Sequence, residues 1–113
     1  MRIEIRGHQT AVTDTIRQHV EDRFTARIGK QVSDVAHLHV DLLEEHRQQV
    51  AEATLQLKGV TLRARESSGD LMHSVDLVAD KLGRQVKRHR DKRRGRRDPN
   101  ARTASPPPES LEH

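Results

Sequence analysis

Basic residues are concentrated in one stretch near the C-terminal end of the chain. Residues 81–97 contain 10 Lys/Arg and one acidic residue, a net charge of +9, whereas residues 1–80 contain 10 Lys/Arg and 13 Asp/Glu, a net charge of −3. A cationic segment on a mildly acidic body indicates a polyanionic partner, because charge placed in this way governs association rather than folding. Arginine predominates in the segment, and its guanidinium group can hold a phosphate through two hydrogen bonds.

The basic residues belong to an amphipathic helix that we predict to begin near Asp70. Its apolar side chains recur at spacings of three and four and form one buried stripe: Leu71, Val75, Val78, Leu82 and Val86. At 100° per residue, one flank of this stripe carries a row of cations: Lys81, Arg84, Arg88 and Lys92. Lys87 and Arg90 lie on the other exposed side. A packed helix would hold such a row rigidly against a phosphate backbone, and its affinity would depend steeply on salt.

A charge run of this kind can also be a solvated helix face, with the residues from Arg93 onward disordered. The helix macrodipole favours cations near a C-terminal end, but this accounts for two or three of them and not for ten. We therefore favour the binding interpretation. In it, residues 93–97 run past the last packed turn and become ordered on the polyanion.

Other side chains that could do chemistry form weaker patterns. His37 and His39 are two apart on a predicted strand and share a face, a spacing that some metal sites use, but no third ligand is evident and we predict no metal site. Four carboxylates would supply a general acid only within a cleft that nothing predicts: Glu44, Glu45, Asp76 and Asp80. There is no Gly-rich phosphate loop and no nucleophile elbow, so we expect no enzyme, no cofactor and no small-molecule substrate.

Composition narrows the class of partner and the compartment. Phe24 is the one aromatic residue, which nearly excludes a protein that recognises RNA by stacking bases on aromatic rings. The chain has no cysteine, which excludes disulfides and thiolate chemistry and suits a cytoplasmic protein. No apolar run approaches the roughly 20 residues of a membrane span, and no signal-peptide core is present, so we expect no membrane association.

The elements that position the basic helix begin with a strand and a helix. Residues 2–6 alternate with period two, which predicts a strand with Ile3 and Ile5 inward. Residues 12–28 predict a helix with Thr13 or Asp14 as its N-cap and Gly29 as its C-cap. Its buried side chains recur every four residues: Ile16, Val20, Phe24 and Ile28.

Three strands are predicted between the two helices. Residues 35–43, 50–58 and 60–65 each alternate apolar and polar side chains, which favours an antiparallel sheet with one wet face. Residues 44–49 are polar and are predicted to be a loop. On the wet face, Arg63 and Arg65 could either extend an RNA-binding surface or pair with Glu52.

The predicted order is β-α-β-β-β-α, an α+β fold. Two helices must cover one face of a four-stranded sheet, because each element has a single apolar side to bury. With 113 residues and 32% apolar content, the chain has room for one small domain and a tail.

Two parts of the chain resemble a known family. The opening, Ile3 to His8 followed by Val12 to Arg17, is similar to the N-terminus of bacterial ribosome hibernation promoting factors. The run from Leu62 to Leu71, continued by Ser74 to Leu82 and Arg84 to Lys92, is more specific. It resembles the second-helix signature of this family, which includes ribosome-associated inhibitors and sigma-54 modulation proteins. The similarity is strongest to the long, cyanobacterial and plastid-like branch.

The resemblance covers about residues 1–94, the whole predicted domain, and implies a fold like that of double-stranded-RNA-binding domains. It implies binding to the rRNA of the small ribosomal subunit, in the channel for mRNA and tRNA, and inhibition of translation in stationary phase or stress. The rRNA contacts would come from the last helix: Lys81, Arg84, Lys87, Arg88, Arg90, Lys92 and Arg93. Arg27 and Lys30, at the end of the first helix, would be further contacts.

Two other functions stay open at the level of the sequence. The domain could be a general binder of double-stranded RNA or DNA. It could also be a protein-interaction module whose basic helix docks on an acidic partner, such as a sigma factor.

The sequence departs from the family pattern in two places. Met72 stands where the family usually has an aromatic residue, so we expect softer packing at the start of the last helix. Long members continue, after a linker, into a domain that mediates ribosome dimerisation, so dimerisation stays open. We expect residues 95–110 to be a disordered basic and then Pro-rich linker, residues 111–113 to be the remnant of a tag, and the isolated domain to be monomeric.

Overall fold

The computed structural model describes the backbone of residues 1–95 and the side chains of residues 1–91. In chain order the elements are β1 (Arg2–Gly7), α1 (Asp14–Ile28), β2 (His37–Glu45), β3 (Gln48–Leu57), β4 (Val60–Ser68) and α2 (Leu71–Gly95). This order confirms the predicted β-α-β-β-β-α fold.

The four strands form one mixed sheet in the order β1-β2-β3-β4. β2, β3 and β4 pair antiparallel, as the alternation predicted, whereas β1 pairs parallel to β2 through the crossover made by α1. Both helices supply buried side chains to the same core cluster as the sheet. The fully buried members with the largest side chains include Phe24, Ile28, Leu38, Leu55 and Leu82.

The hydrophobic stripe of α1 is confirmed. Val20, Phe24 and Ile28 are fully buried, and Ile16 packs against the core while partly exposed. Thr13, one of the two predicted N-caps, is confirmed, because its hydroxyl accepts a hydrogen bond from the Ile16 N–H at 3.2 Å. The helix itself begins at Asp14, two residues after the start of the predicted segment.

The loop predicted at residues 44–49 is wrong. Glu45 pairs with Gln48, so only His46 and Arg47 connect β2 to β3. Their φ values are +52° and +66°, the left-handed pair that a two-residue hairpin turn requires. The Asn-Gly or Asp-Gly signal of such a turn is missing from the sequence, so polarity alone suggested a longer connection. The strand pairing also extends β4 to Ser68, beyond the predicted end at residue 65.

The other face of the sheet carries polar side chains that partly cover one another. Arg65 on β4 forms ion pairs with Glu52 on β3, at 3.5 Å, and with Glu45 on β2. Of the two roles considered for Arg65, pairing is therefore the one that the structure shows. Val50 lies in the same region of this face and is only 1% exposed. We infer that these long side chains contribute to its burial.

Candidate nucleic-acid interface

The basic helix α2 is held firmly along its first four turns. Asp70 is its N-cap, because its Oδ2 accepts a hydrogen bond from the His73 N–H at 3.0 Å. Val75, Val78 and Leu82 are fully buried, and Val86 is 2% exposed. The predicted stripe is thus confirmed, and it fixes the direction in which the cations project.

The outer side of α2 carries two exposed cations, Arg84 and Lys87. Neither side chain forms an ion pair within residues 1–91. They are three residues apart and so lie on neighbouring turns of one rigid helix. Both guanidinium and ammonium groups are therefore available to an anion without first breaking an internal contact.

Two other predicted cations are already paired with carboxylates. Lys81 Nζ lies 3.4 Å from Glu66 Oε2 on β4, and Arg27 Nε lies 2.6 Å from Asp80 Oδ1, joining α1 to α2. The side chains of both cations are more than a third exposed. Ion pairs at the surface of this kind contribute about 0–1 kcal/mol to stability. A phosphate group could therefore replace either carboxylate at little cost.

The remaining predicted cations have different surroundings. Arg88 is half-buried, and Lys30 is exposed just after the end of α1. Arg90 Nε is buried and lacks a hydrogen-bond partner, with Asp91 Oδ1 at 3.9 Å. The backbone at Lys92 and Arg93 continues the helix, but both side chains lie outside the described residues.

The end of α1 comes close to the basic half of α2. Asp76 on α2 lies 2.7 Å from His19 Nε2 and 3.0 Å from Arg23 Nε on α1. Two helical turns further along α2, a Cβ atom at Gly83 would lie 3.6 Å from the Arg27 Cβ. The two helices therefore run in the same direction, and Arg27 adjoins the basic half of α2.

The flank of α2 beside β4 also protects an edge of the sheet. Gln85 Nε2 donates a hydrogen bond to the Arg63 carbonyl at 2.7 Å. β4 is an edge strand, and edge carbonyls without partners invite pairing with other chains. Gln85, which lies among the predicted cations, is thus a positioning residue that the charge pattern did not reveal.

Three of the four acidic residues considered for proton transfer are engaged in ion pairs, and the fourth, Glu44, is exposed. Glu45 pairs with Arg65, Asp76 with His19 and Arg23, and Asp80 with Arg27. Each of these three carboxylates therefore already contacts a basic side chain. Within residues 1–95, no helix is both long and apolar enough to cross a membrane.

Comparison with known proteins gives consistent matches at the level of sequence. Residues 3–94 match a family described as Sigma 54 modulation protein / S30EA ribosomal protein. A ribosome hibernation promoting factor from Azotobacter vinelandii is 33% identical over 108 residues, covering 96% of this chain and 100% of that protein. A ribosome hibernation promotion factor from Lactococcus lactis subsp. cremoris is 37% identical over 94 residues, which are 80% of this chain and 50% of that protein.

Two solved structures share the fold. The N-terminal domain of Thermus thermophilus Protein Y superposes with a TM-score of 0.69 at 30% identity, covering 79% of this chain and 99% of that domain. A ribosomal subunit interface protein from Coxiella burnetii gives a TM-score of 0.69 at 20% identity, covering 80% of this chain and 99% of that one, and shows the fold alone. The similarity to double-stranded-RNA-binding domains stays a prediction.

Proposed function

The chain belongs to the Sigma 54 modulation protein / S30EA ribosomal protein family, and from this we propose that it is a ribosome hibernation factor. In this proposal the domain of residues 1–94 binds the rRNA of the small ribosomal subunit in the mRNA and tRNA channel. It thereby inhibits translation in stationary phase or stress. It acts in the cytoplasm as a binding protein and has no catalytic step of its own.

The observation that carries the proposal is the pair of exposed cations on a fixed helix. Arg84 and Lys87 project from α2, whose opposite side is buried in the core, and no carboxylate within residues 1–91 neutralises them. Relatives that bear the name ribosome hibernation promoting factor supply the choice of the ribosome as the polyanion.

The cations that are paired with carboxylates could also contact rRNA. Lys81 and Arg27 can exchange Glu66 and Asp80 for phosphate groups, which would add contacts at the two ends of the surface. Each phosphate contact releases condensed counterions, so the logarithm of the affinity falls linearly with the logarithm of the salt concentration. For about four contacts, a slope near −3.6 gives roughly a hundredfold loss of affinity between 50 and 200 mM salt.

Co-sedimentation with small ribosomal subunits over a range of salt concentrations tests the proposal. Reversing both charges, Arg84→Glu with Lys87→Glu, should weaken binding. It should also reduce the magnitude of the salt slope by about 2, because two phosphate contacts are lost. Both side chains are exposed, so the thermal unfolding midpoint should change little.

Arg17→Glu provides the matched control for a single Arg84→Glu change. Arg17 is exposed near the start of α1, at the other end of the helical layer, and its reversal alters the net charge equally. The control should retain binding. Unchanged binding of the double variant at ~100 mM salt, or equal losses in the two single variants, would exclude α2 as the contact surface.

Competition separates ribosome binding from general binding of duplex RNA. Bulk duplex RNA at equal mass should not displace a ribosome-specific protein from small subunits. If it does, the domain is a general duplex binder. If a partner remains bound after nuclease treatment, the basic surface recognises a protein instead.

A further inference from the structure

We propose that Glu4, His37 and His39 form a binding site for one divalent transition-metal ion, with Zn²⁺ as the best-fitting ion. The three side chains lie on the sheet face opposite the helices, away from the basic surface. One ligand atom from each lies within 4.8 Å of the others. The inference is independent of the proposed ribosome binding.

Strand pairing brings the three residues together. His37 and His39 are two apart on β2, so both project from one face, and their rings stack with centroids 4.2 Å apart at 29°. Glu4 on β1 is the register partner of His39 in the parallel β1–β2 pair. The sequence showed no third ligand because Glu4 is far upstream and reaches the histidines only through this pairing.

The distances to the carboxylate suit zinc. Glu4 Oε1 lies 3.2 Å from His39 Nδ1, and Glu4 Oε2 lies 3.6 Å from His37 Nε2. In tetrahedral zinc sites with bonds of about 2.0–2.1 Å, neighbouring ligand atoms are separated by roughly 3.3 Å. The Glu4 side chain is 47% exposed, so it can rotate to complete the geometry without disturbing the core.

An unsatisfied buried nitrogen supports a ligand at this position. His37 Nε2 is shielded from solvent and has no hydrogen-bond partner, because 3.6 Å is too long for a hydrogen bond to Glu4. Buried polar atoms that lack a partner are uncommon and costly. A metal ion bonded to this nitrogen would satisfy it, and would replace the weak contact with Glu4 by shared coordination.

The donor set selects the class of ion. The two imidazole nitrogens favour zinc and its neighbours over magnesium or calcium, which prefer all-oxygen sites, and zinc also accepts a carboxylate oxygen. Three protein ligands leave a fourth position of the tetrahedron for water or for a group from a binding partner. The ion would join β1 to β2 and should therefore stabilise the sheet.

Thermal unfolding of the full chain with ZnCl₂ tests the site. Zinc binds the folded state in preference to the unfolded state, so zinc at 100 times its Kd should raise the midpoint of thermal unfolding by about 10–20 °C. Calorimetric titration should give one ion per chain, and MgCl₂ at the same concentration should have no effect.

Three single variants and one control localise the ion. His37→Asn, His39→Asn and Glu4→Gln should each weaken zinc binding at least tenfold while the zinc-free midpoint stays within a few degrees of the parent chain. His46→Asn is the control, because His46 is exposed in the hairpin turn and asparagine tolerates its positive φ. It should bind zinc like the parent.

Two results would contradict the proposed zinc site. If zinc leaves the midpoint of the parent unchanged, or if His39→Asn retains the parent's affinity, the three side chains form an ordinary polar cluster. The Arg84→Glu, Lys87→Glu double variant should bind zinc normally, because its changes lie on the opposite side of the sheet. A loss there would show that zinc binds elsewhere.

Discussion

Ser74 shows how a single polar side chain joins α2 to the sheet. It is fully buried, and its hydroxyl donates a hydrogen bond to the Gln49 carbonyl on β3 at 2.6 Å. The Ser68 hydroxyl oxygen lies 2.7 Å from the Ser74 hydroxyl oxygen. This small network fixes the start of the helix on the sheet, and hence the direction of the cations further along it.

Removing this hydroxyl should destabilise the fold. In Ser74→Ala, the Gln49 carbonyl and the Ser68 hydroxyl lose a partner in a buried position, which costs about 1–2 kcal/mol. Urea unfolding measures the loss. Ser67→Ala is the control, since Ser67 is exposed and its removal should change stability by less than about 0.5 kcal/mol. Equal effects would mean that the buried network does not contribute to stability.

At the scale of residues, the sequence identified the cations but not their partners. The helical period of α2 placed Arg84 and Lys87 outward, as observed. The Lys81–Glu66 and Arg27–Asp80 pairs depend on how α2 packs against β4 and α1. The charge pattern within one element cannot predict such pairs between elements. For the same reason, the sequence did not predict that Glu4 lies beside the two histidines.

Gly83 marks the close approach of α1 and α2 at the scale of elements. A Cβ atom there would lie 3.6 Å from the Arg27 Cβ and 4.0 Å from the Ile28 Cγ2, which are ordinary contacts. Glycine is nevertheless a poor residue for a helix interior, because it costs about 1 kcal/mol relative to alanine. A larger residue at this position should therefore stabilise the protein.

We expect Gly83→Ala to raise stability by about 0.5–1 kcal/mol, seen as a rise of several degrees in the thermal midpoint. Gly7→Ala is the contrasting change. A Cβ atom there would lie 2.0 Å from the Thr10 carbonyl oxygen, so this variant should lose about 1–3 kcal/mol. A destabilised Gly83→Ala protein would show that the helices approach more closely than described.

The sequence predicted helices and strands well where the hydrophobic period was clear. It predicted tight turns and strand pairing poorly. Alternation identified β2, β3 and β4, and the four-residue repeat identified α1. It did not reveal the turn at His46 and Arg47, whose backbone conformation is imposed by strand pairing and not by residue type. Alternation also says which side of β1 is buried, but not that β1 lies parallel to β2.

At the scale of the whole molecule, the two polar surfaces are on opposite sides of the sheet. The helical side carries the α2 cations, and the open side carries Glu4, the two histidines and the ion pairs of Arg65. A protein built this way can bind a polyanion on one side while its other side remains accessible. The charge asymmetry of the sequence predicted the first surface. The polar surface on the open side could not be predicted without knowing how the strands pair.

The parallel pairing of β1 has a consequence for the order in which the protein folds. β2, β3 and β4 are joined by two-residue turns, so their pairing is local, whereas β1 must wait until α1 and β2 have been synthesised. Closing this longer loop costs more chain entropy, and pairing of this kind forms late. We expect β1 amide hydrogens to become protected later during refolding than those of β3, as measured by pulse-labelling hydrogen exchange with mass spectrometry. Earlier protection of β1 would contradict this order, in which the first strand of the domain is the last to join the sheet.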